Sequence, residues 1–246
     1  MNLYLLCSLK YRFQYLDELQ RPFRPAALAF GSAFHAALAW FHDHAAEGNG
    51  ASLERMIKIF AADWYAQKTG AKILFNAGEN EAKFTVLAQE MLRLYAERPQ
   101  QRTRAAEVPF TVPLENPETG ERLGINLEGY FDLVTKDDVI VEFKTSGQTM
   151  TQQDAEGHLQ LTAYSYAYDL LYQRPAKTLR IVDFVKNKTP KMVVLDTTRK
   201  PGDHRRFFHF AREVFHGIRS CVFMPRTGYW CRDCEYQKPC QAWQGN

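Results

Sequence analysis

The stretch from Leu127 to Ser146, LEGYFDLVTKDDVIVEFKTS, constrains the fold more than any other. Two runs of β-branched and aromatic residues flank Lys136-Asp137-Asp138, which predicts an antiparallel hairpin. If the strands close through a three-residue or five-residue loop centred on Asp137, Asp132 stands directly opposite Glu142. Cβ atoms so placed lie ~4.5 to 5.5 Å apart, and two like charges there are destabilising unless a cation lies between them. Side chains alternate along a strand, so Lys144 projects from the same face as Glu142. Oxygen donors of this kind suit Mg or Mn, which can polarise a phosphodiester and deliver a bound water, while a lysine can orient that water or offset developing charge. The residue types point to phosphodiester hydrolysis.

The rest of the chain supplies a frame for this hairpin. Apolar residues recur at helical spacing over Leu3–Leu19, Ala26–His44, Leu53–Lys68 and Glu79–Glu97, punctuated by Gly48, Gly50 and Gly70. After Pro99 the period shortens, and Val108–Pro113, Leu127–Val134 and Val139–Lys144 read as three strands, the first two separated by Asn116-Pro117-Glu118-Thr119-Gly120. A helix over Thr151–Tyr172, strands over Leu179–Val185 and Lys191–Leu195, and a helix from Asp203 to about Ser220 follow. This order predicts an α/β (α+β) fold, a mixed sheet with helices packed on it, preceded by a helical region and followed by a cysteine-rich end. The expected organisation is one unit over 1–246, helical over 1–104, a catalytic core over 105–200, and a helix with the cysteine-rich region over 201–246.

Composition excludes several classes. With 46% apolar and 24% charged residues the chain is globular and not disordered. The formal net charge of +3 permits an anionic partner without demanding one. No run reaches the ~18 to 20 apolar residues of a membrane span. The opening MNLYLLCS lacks a basic leader and has bulky Leu6 before Cys7, so it does not read as a secretion signal. The expectation is a cytoplasmic protein whose five cysteines stay reduced. No G-x-x-x-x-G-K-[ST] motif suggests ATP use by this chain.

Two further patterns bear on the hairpin. Gln160 and Tyr164 lie four apart and share one helix face, from which both could reach a phosphate or a base. His35, in FGSAFHAALAWF, sits on an apolar helix one turn after Gly31, where a small residue allows close approach of another backbone. A neutral imidazole beside the two carboxylates would complete a metal site, with its other nitrogen in need of an orienting partner. The tail carries Cys231-x2-Cys234-x5-Cys240, spacing that suits a metal or cluster. Cys7 and Cys221 are the candidates for a fourth ligand, and four thiolates could hold tetrahedral zinc or an iron-sulfur cluster.

Together these pieces resemble the RecB-like branch of the PD-(D/E)XK nuclease superfamily, most of all the CRISPR-associated RecB-type iron-sulfur exonucleases and the AddB nuclease domain. The matching residues are Cys7, Gly31 and His35 in GSAFH, Asp132 in GYFD, Glu142 and Lys144 in VEFKTS, Gln160 and Tyr164 in QLTAY, and the three tail cysteines. They span nearly the whole chain. The resemblance implies a restriction-endonuclease-like fold with Mg or Mn held by His35, Asp132, Glu142 and the Phe143 carbonyl, and with Lys144 catalytic. It implies a structural 4Fe-4S cluster on Cys7, Cys231, Cys234 and Cys240. Glu107, before the first strand, could assist at the site, with a surface charge the favoured reading.

The activity implied is exonucleolytic hydrolysis of DNA at single-stranded ends, trimming prespacers beside a CRISPR integrase. A repair or phage recombination nuclease acting with a helicase, and a DNA-binding scaffold that no longer cuts, are the rivals. Arg98, Arg102, Arg104, Arg205, Arg206, Arg212, Lys186, Lys188 and Lys191 are available for phosphate contacts, with none singled out.

Overall fold

The computed structural model describes residues 1–46, 51–99 and 102–245, so Gly48, Gly50 and Gln101 lie outside the described residues. Helices α1 (Asn2–Leu6) and α2 (Ser8–Tyr15) open the chain, and β1 (Arg24–Pro25) leads into α3 (Ala26–Ala46). Then come α4 (Leu53–Gly70), β2 (Ile73–Leu74), α5 (Glu81–Ala96) and the long strands β3 (Thr103–Glu115) and β4 (Arg122–Thr135). Strand β5 (Val139–Ser146), helices α6 (Gln152–Glu156) and α7 (Leu159–Tyr172), and strands β6 (Thr178–Val185) and β7 (Lys191–Thr197) complete the sheet region. Helix α8 (Pro201–Arg219) and the short α9 (Gln237–Ala242) close the chain.

The main sheet has the order β3-β4-β5-β6-β7, with β5 and β6 parallel and the other neighbours antiparallel. The expected mixed sheet flanked by helices is thus observed. One face packs on α3, α4 and α5 through Val141, Phe143, Val182 and Phe184, which meet Phe34, Trp64, Phe84 and Met91 in one buried cluster. The other face packs on α7 and α8 through Ile140, Phe131 and Ile181, which meet Leu161, Tyr168 and Phe207. Val141 and Phe143 point one way and Ile140 the other, the period-2 alternation of a strand buried on both faces.

Two predicted helices are broken, each for a visible reason. The run over Leu3–Leu19 divides at Cys7, whose backbone is extended (φ −161°, ψ 105°). There the Met224 carbonyl accepts from Leu9 N–H and from the Ser8 hydroxyl, both at 3.2 Å, so the tail supplies partners for groups at the start of the second helix. The run over Thr151–Tyr172 divides at Gly157 and His158. A capping box between Thr151 and Asp154 starts the first piece. The Arg199 guanidinium donates to the carbonyls of Ala155 (2.9 Å) and His158 (3.2 Å), covering acceptors that the break exposes.

The strands run longer than the β-branched segments alone indicate, because β3 and β4 extend as a two-stranded ribbon to the Asn116–Gly120 turn. Among the described residues no helix is long and apolar enough to cross a membrane.

Candidate active site

The hairpin from β4 to β5 closes through a three-residue loop, Lys136–Asp138, with Asp138 left-handed (φ 59°), the conformation such loops require at one position. Leu133 pairs with Val141 and Val134 with Ile140. Continued by one step, this register sets Asp132 level with Glu142, as the sequence predicts. Asp132 is buried and its Oδ2 accepts from the Phe143 N–H at 2.8 Å. Burial first, and then the Glu142 charge, push the Asp132 carboxyl well above its ordinary pKa.

Glu142 is 1% exposed and fully engaged. Its carboxylate forms an ion pair with Lys144 and accepts from Gln160 Nε2 at 2.9 Å. Gln160 in turn accepts from Lys144 Nζ at 2.8 Å and donates to the Tyr164 hydroxyl at 2.9 Å. The break at Gly157–His158 starts α7 beside β5, and helical spacing then lays Gln160 and Tyr164 over this strand. Burial and the two carboxylates push the Tyr164 phenol far up, so it stays protonated.

His35 arrives from α3 on the other side of Asp132. Its Nδ1 lies 3.5 Å from Asp132 Oδ2 and its Nε2 lies 2.9 Å from the Phe143 carbonyl. The orienting partner that the sequence left unnamed is therefore the backbone of β5. Burial, opposed by the Glu142 charge and aided by Lys144, lowers the His35 pKa, which keeps the imidazole neutral and able to act as a ligand. Gly31 contributes less than expected: a Cβ there would meet the Thr145 hydroxyl at 3.5 Å, an ordinary contact with a side chain and not with backbone.

Glu107 is the residue that the sequence reading undervalued. One ligand atom each from His35, Glu107 and Asp132 lies within 4.8 Å of the others. Glu107 is exposed, as a surface charge should be, but it faces the site. The pairs Ala106–Leu133 and Val108–Phe131 bracket it, which places it level with Asp132 on the opposite strand. Its backbone is left-handed (φ 46°), and the ribbon reverses its faces there. Ala106 and Leu133 pack with α3–α5, whereas Val108 and Phe131 pack with α7–α8. Three acidic residues thus stand side by side on three adjacent strands.

This donor set fits a divalent cation. Three carboxylates, a neutral imidazole and a backbone carbonyl are hard or borderline ligands. Lys144 is the cation already paired to one of them. Asp132 and Glu107 line a cavity of about 750 Å³ with His35, Phe143 and Lys144. Asp132 also lines a second cavity, of about 670 Å³, together with Gln160 and Tyr164.

The cysteines gather elsewhere. Cys7 is buried at the α1–α2 break, in an apolar cluster with Leu9, Phe13, Phe223 and Tyr236, against which Cys234 and Cys240 pack. The Cys240 thiol is pushed up by burial and then by Cys7, Cys234 and Cys231, its neighbours in the nest. Lys10 pairs with buried Glu235 at 2.6 Å and fastens α2 to this tail. Cys221 is exposed just past α8. All five thiols are free of disulfides. The structure thus brings Cys7, and not Cys221, to the trio, and four thiols in a largely apolar nest are a donor set that suits an iron-sulfur cluster or zinc.

Known proteins place this geometry. A solved structure from Eubacterium rectale described as a "putative exonuclease" is similar over 96% of this chain and 80% of its own, at 14% identity and a TM-score of 0.57, a likeness in fold. That of SSO0001 aligns over 98% and 97% at 13% identity, with a TM-score of 0.39, too low to bear on the fold. No curated protein matches the sequence. The profile of the PD-(D/E)XK nuclease superfamily matches residues 1–241, nearly the whole chain, and the protein belongs to that superfamily.

Proposed function

We propose that the protein is a Mg- or Mn-dependent deoxyribonuclease that shortens single-stranded DNA ends. The observation that carries this reading is the row Glu107, Asp132 and Glu142 on adjacent strands, with His35 and Lys144 at its flanks. His35, Asp132, Glu142 and the Phe143 carbonyl would hold the metal, with Glu107 as a further ligand at the rim. When bound, the ion would polarise the scissile phosphodiester and make water more acidic. Lys144 is held by Glu142 and Gln160 beside the reacting centre, where its ammonium offsets charge that develops on phosphate oxygens. Gln160 fixes both Glu142 and Lys144, and the protonated Tyr164 phenol holds Gln160 in place. Hydrolysis joins the water oxygen to phosphorus and breaks one ester bond, with a proton passing to the leaving oxygen.

In the same reading residues 1–246 act as one nuclease unit in the cytoplasm. Cys7, Cys231, Cys234 and Cys240 hold a 4Fe-4S cluster that staples the first helices to the tail, and a colourless zinc-loaded protein would replace this assignment. The biological setting proposed is trimming of prespacer ends beside a CRISPR integrase. It rests on the combination of the His35, Asp132, Glu142-x-Lys144 and Gln160-x3-Tyr164 pieces with the cysteine set. Co-purification with a helicase would move the protein to repair or recombination.

The test is digestion of end-labelled linear single-stranded DNA by anaerobically purified protein, in Mn or Mg against EDTA, with Glu142→Ala as control. Metal-dependent shortening absent from the variant is expected, and the label position gives the polarity. Folded protein that shifts DNA without cutting it would turn the reading to a binding subunit.

A further inference from the structure

The larger cavity has a second lysine that the nuclease chemistry above does not use. Lys186 follows β6 directly, and its N–H donates to the Ser146 carbonyl at 2.8 Å, which puts it at the same end of the parallel β5–β6 pair as Lys144. Crevices at the carboxyl ends of parallel strands are where α/β sheets place ligands. Lys186 lines the cavity of about 750 Å³ together with His35, Glu107, Asp132 and Lys144.

The two lysines differ in what holds them. Lys144 is committed to Glu142 and Gln160. Among the described residues the Lys186 ammonium has no ion pair and no hydrogen bond, and its contact is the Phe30 ring, 5.5 Å from the ring centroid. The acid nearest along β6 is already occupied: Asp183 Oδ1 accepts from the Ser146 hydroxyl at 2.6 Å and Oδ2 from the Met150 N–H at 3.0 Å. Burial lowers the Lys186 pKa, and the charges of Glu79 and Asp183 offset this only in part.

The second cavity is different in kind. It is lined by Tyr11, Tyr15, Tyr130 and Phe110 together with Glu128, Asp132 and Gln160, and among the described residues no lysine or arginine lines it. Asp132 thus lines both a cavity in which two lysines stand among its acids and a cavity rich in aromatic rings. A single strand crossing Asp132 would have a backbone charge to match in one cavity and base faces in the other.

We infer that Lys186 is a positioning residue, a second phosphate anchor that holds the DNA backbone at a phosphate next to the scissile one. The inference rests on the nuclease reading and assigns to that site a contact outside its metal and its catalytic lysine. A monoanionic phosphate would replace the missing acceptor, and the Phe30 ring would hold the lysine stem in the cavity. Removing the anchor loosens binding without touching the reacting atoms.

The experiment compares wild type, Lys186→Met and Lys186→Arg. Lys186→Met keeps an apolar stem on Phe30 and removes the charge, and a melting curve checks its fold. Binding of a fluorescein-labelled single-stranded oligonucleotide is followed across a salt series in EDTA, with cleavage kinetics in Mn in parallel. For Lys186→Met, Kd and KM should rise about tenfold, the scale of one charge-assisted hydrogen bond. The slope of log affinity against log salt should become shallower by about 0.7, one phosphate contact on a single strand. The kcat should stay within about twofold, the pattern of lost uniform binding, and Lys186→Arg should restore most of the affinity.

A folded Lys186→Met that binds with wild-type affinity and slope overturns the anchor while leaving the nuclease reading intact. A wild type that cuts no DNA in Mn or Mg overturns the nuclease reading, and the binding series still decides the anchor. A variant that loses kcat with unchanged Kd overturns positioning in favour of a part in the chemical step.

Discussion

The acidic centre and the cysteine nest organise reactive side chains in opposite ways. The centre is carried on three adjacent strands, β4 and β5 paired on both sides and β3 at the sheet edge, and the ladder sets Glu107, Asp132 and Glu142 level and keeps their charges close. The nest is carried on a tail whose regular structure is a three-residue turn of 3₁₀ helix, Tyr229–Cys231, and the six-residue α9. Residues beside it are exposed, Met224 at 57% and Tyr229 at 88%. The sheet imposes a geometry that the charges oppose. In the tail, the shared ligand would impose the geometry. Activity should therefore be lost without the fold at the centre, and the fold lost locally without its ligand at the tail.

The largest expected effect is at the centre. Glu142→Ala or Lys144→Ala should lower the cleavage rate by at least about 10³-fold, the scale of removing preorganised charge stabilisation, while circular dichroism shows the fold retained. Cleavage by either variant within tenfold of wild type would show that the ladder places these groups without using them. In the tail, Cys234→Ser or Cys240→Ser should remove the brown colour expected of the 4Fe-4S protein and cost more than about 3 kcal/mol in the unfolding of the tail, as loss of a structural centre does. Limited proteolysis after Cys221 reads this directly, and a tail that resists protease in both variants would mean that its apolar contacts suffice.

Smaller effects sharpen the comparison within the sheet. Glu107→Gln should raise the Mn concentration for half-maximal cleavage about tenfold, with a smaller change at saturating metal. An unchanged metal titration would return Glu107 to the surface.

Part of the acid limb of stability should come from the core beneath. His42 is buried, with Nδ1 2.8 Å from Thr103 Oγ1 and Nε2 2.5 Å from the Tyr95 hydroxyl, and burial holds its pKa down at about 4. The unfolded chain takes up this proton near pH 6.5 and the folded chain near pH 4. The contribution is therefore complete above about 6.5 and is lost as pH falls through 4, a few kcal/mol at most. Urea unfolding of wild type and His42→Gln between pH 7 and 4 checks it, and equal slopes in the two proteins would assign the acid limb to other groups.

Legibility in the sequence followed contact range. The β4–β5 hairpin was readable because a three-residue turn fixes its register locally, and Asp132, Glu142 and Lys144 come from that register. Gln160 and Tyr164 were readable because helical spacing puts them on one face. Glu107 was hidden by an irregularity. Extending the pair Glu115–Arg122 without a break would set Glu107 opposite Tyr130, but the shift between Pro113 and Glu115 sets it level with Asp132. The left-handed backbone at Glu107 then turns the ribbon over, which no alternation pattern announces. The breaks at Cys7 and His158 were hidden because their backbone partners, Met224 and Arg199, come from far along the chain.

By itself the sequence determined most of the elements, the acidic hairpin and the set of residue types, because propensity, turn chemistry and side-chain period act within about ten residues. Tertiary structure alone decided which distant groups share a site. His35 meets Asp132 because α3 packs across β5, Cys7 meets the tail cysteines because Met224 interrupts its helix, and Lys186 meets the same cavity because β6 runs parallel to β5. Each of these meetings depends on chain segments brought together only when the apolar faces of the sheet are buried, and that burial is a property of the whole molecule.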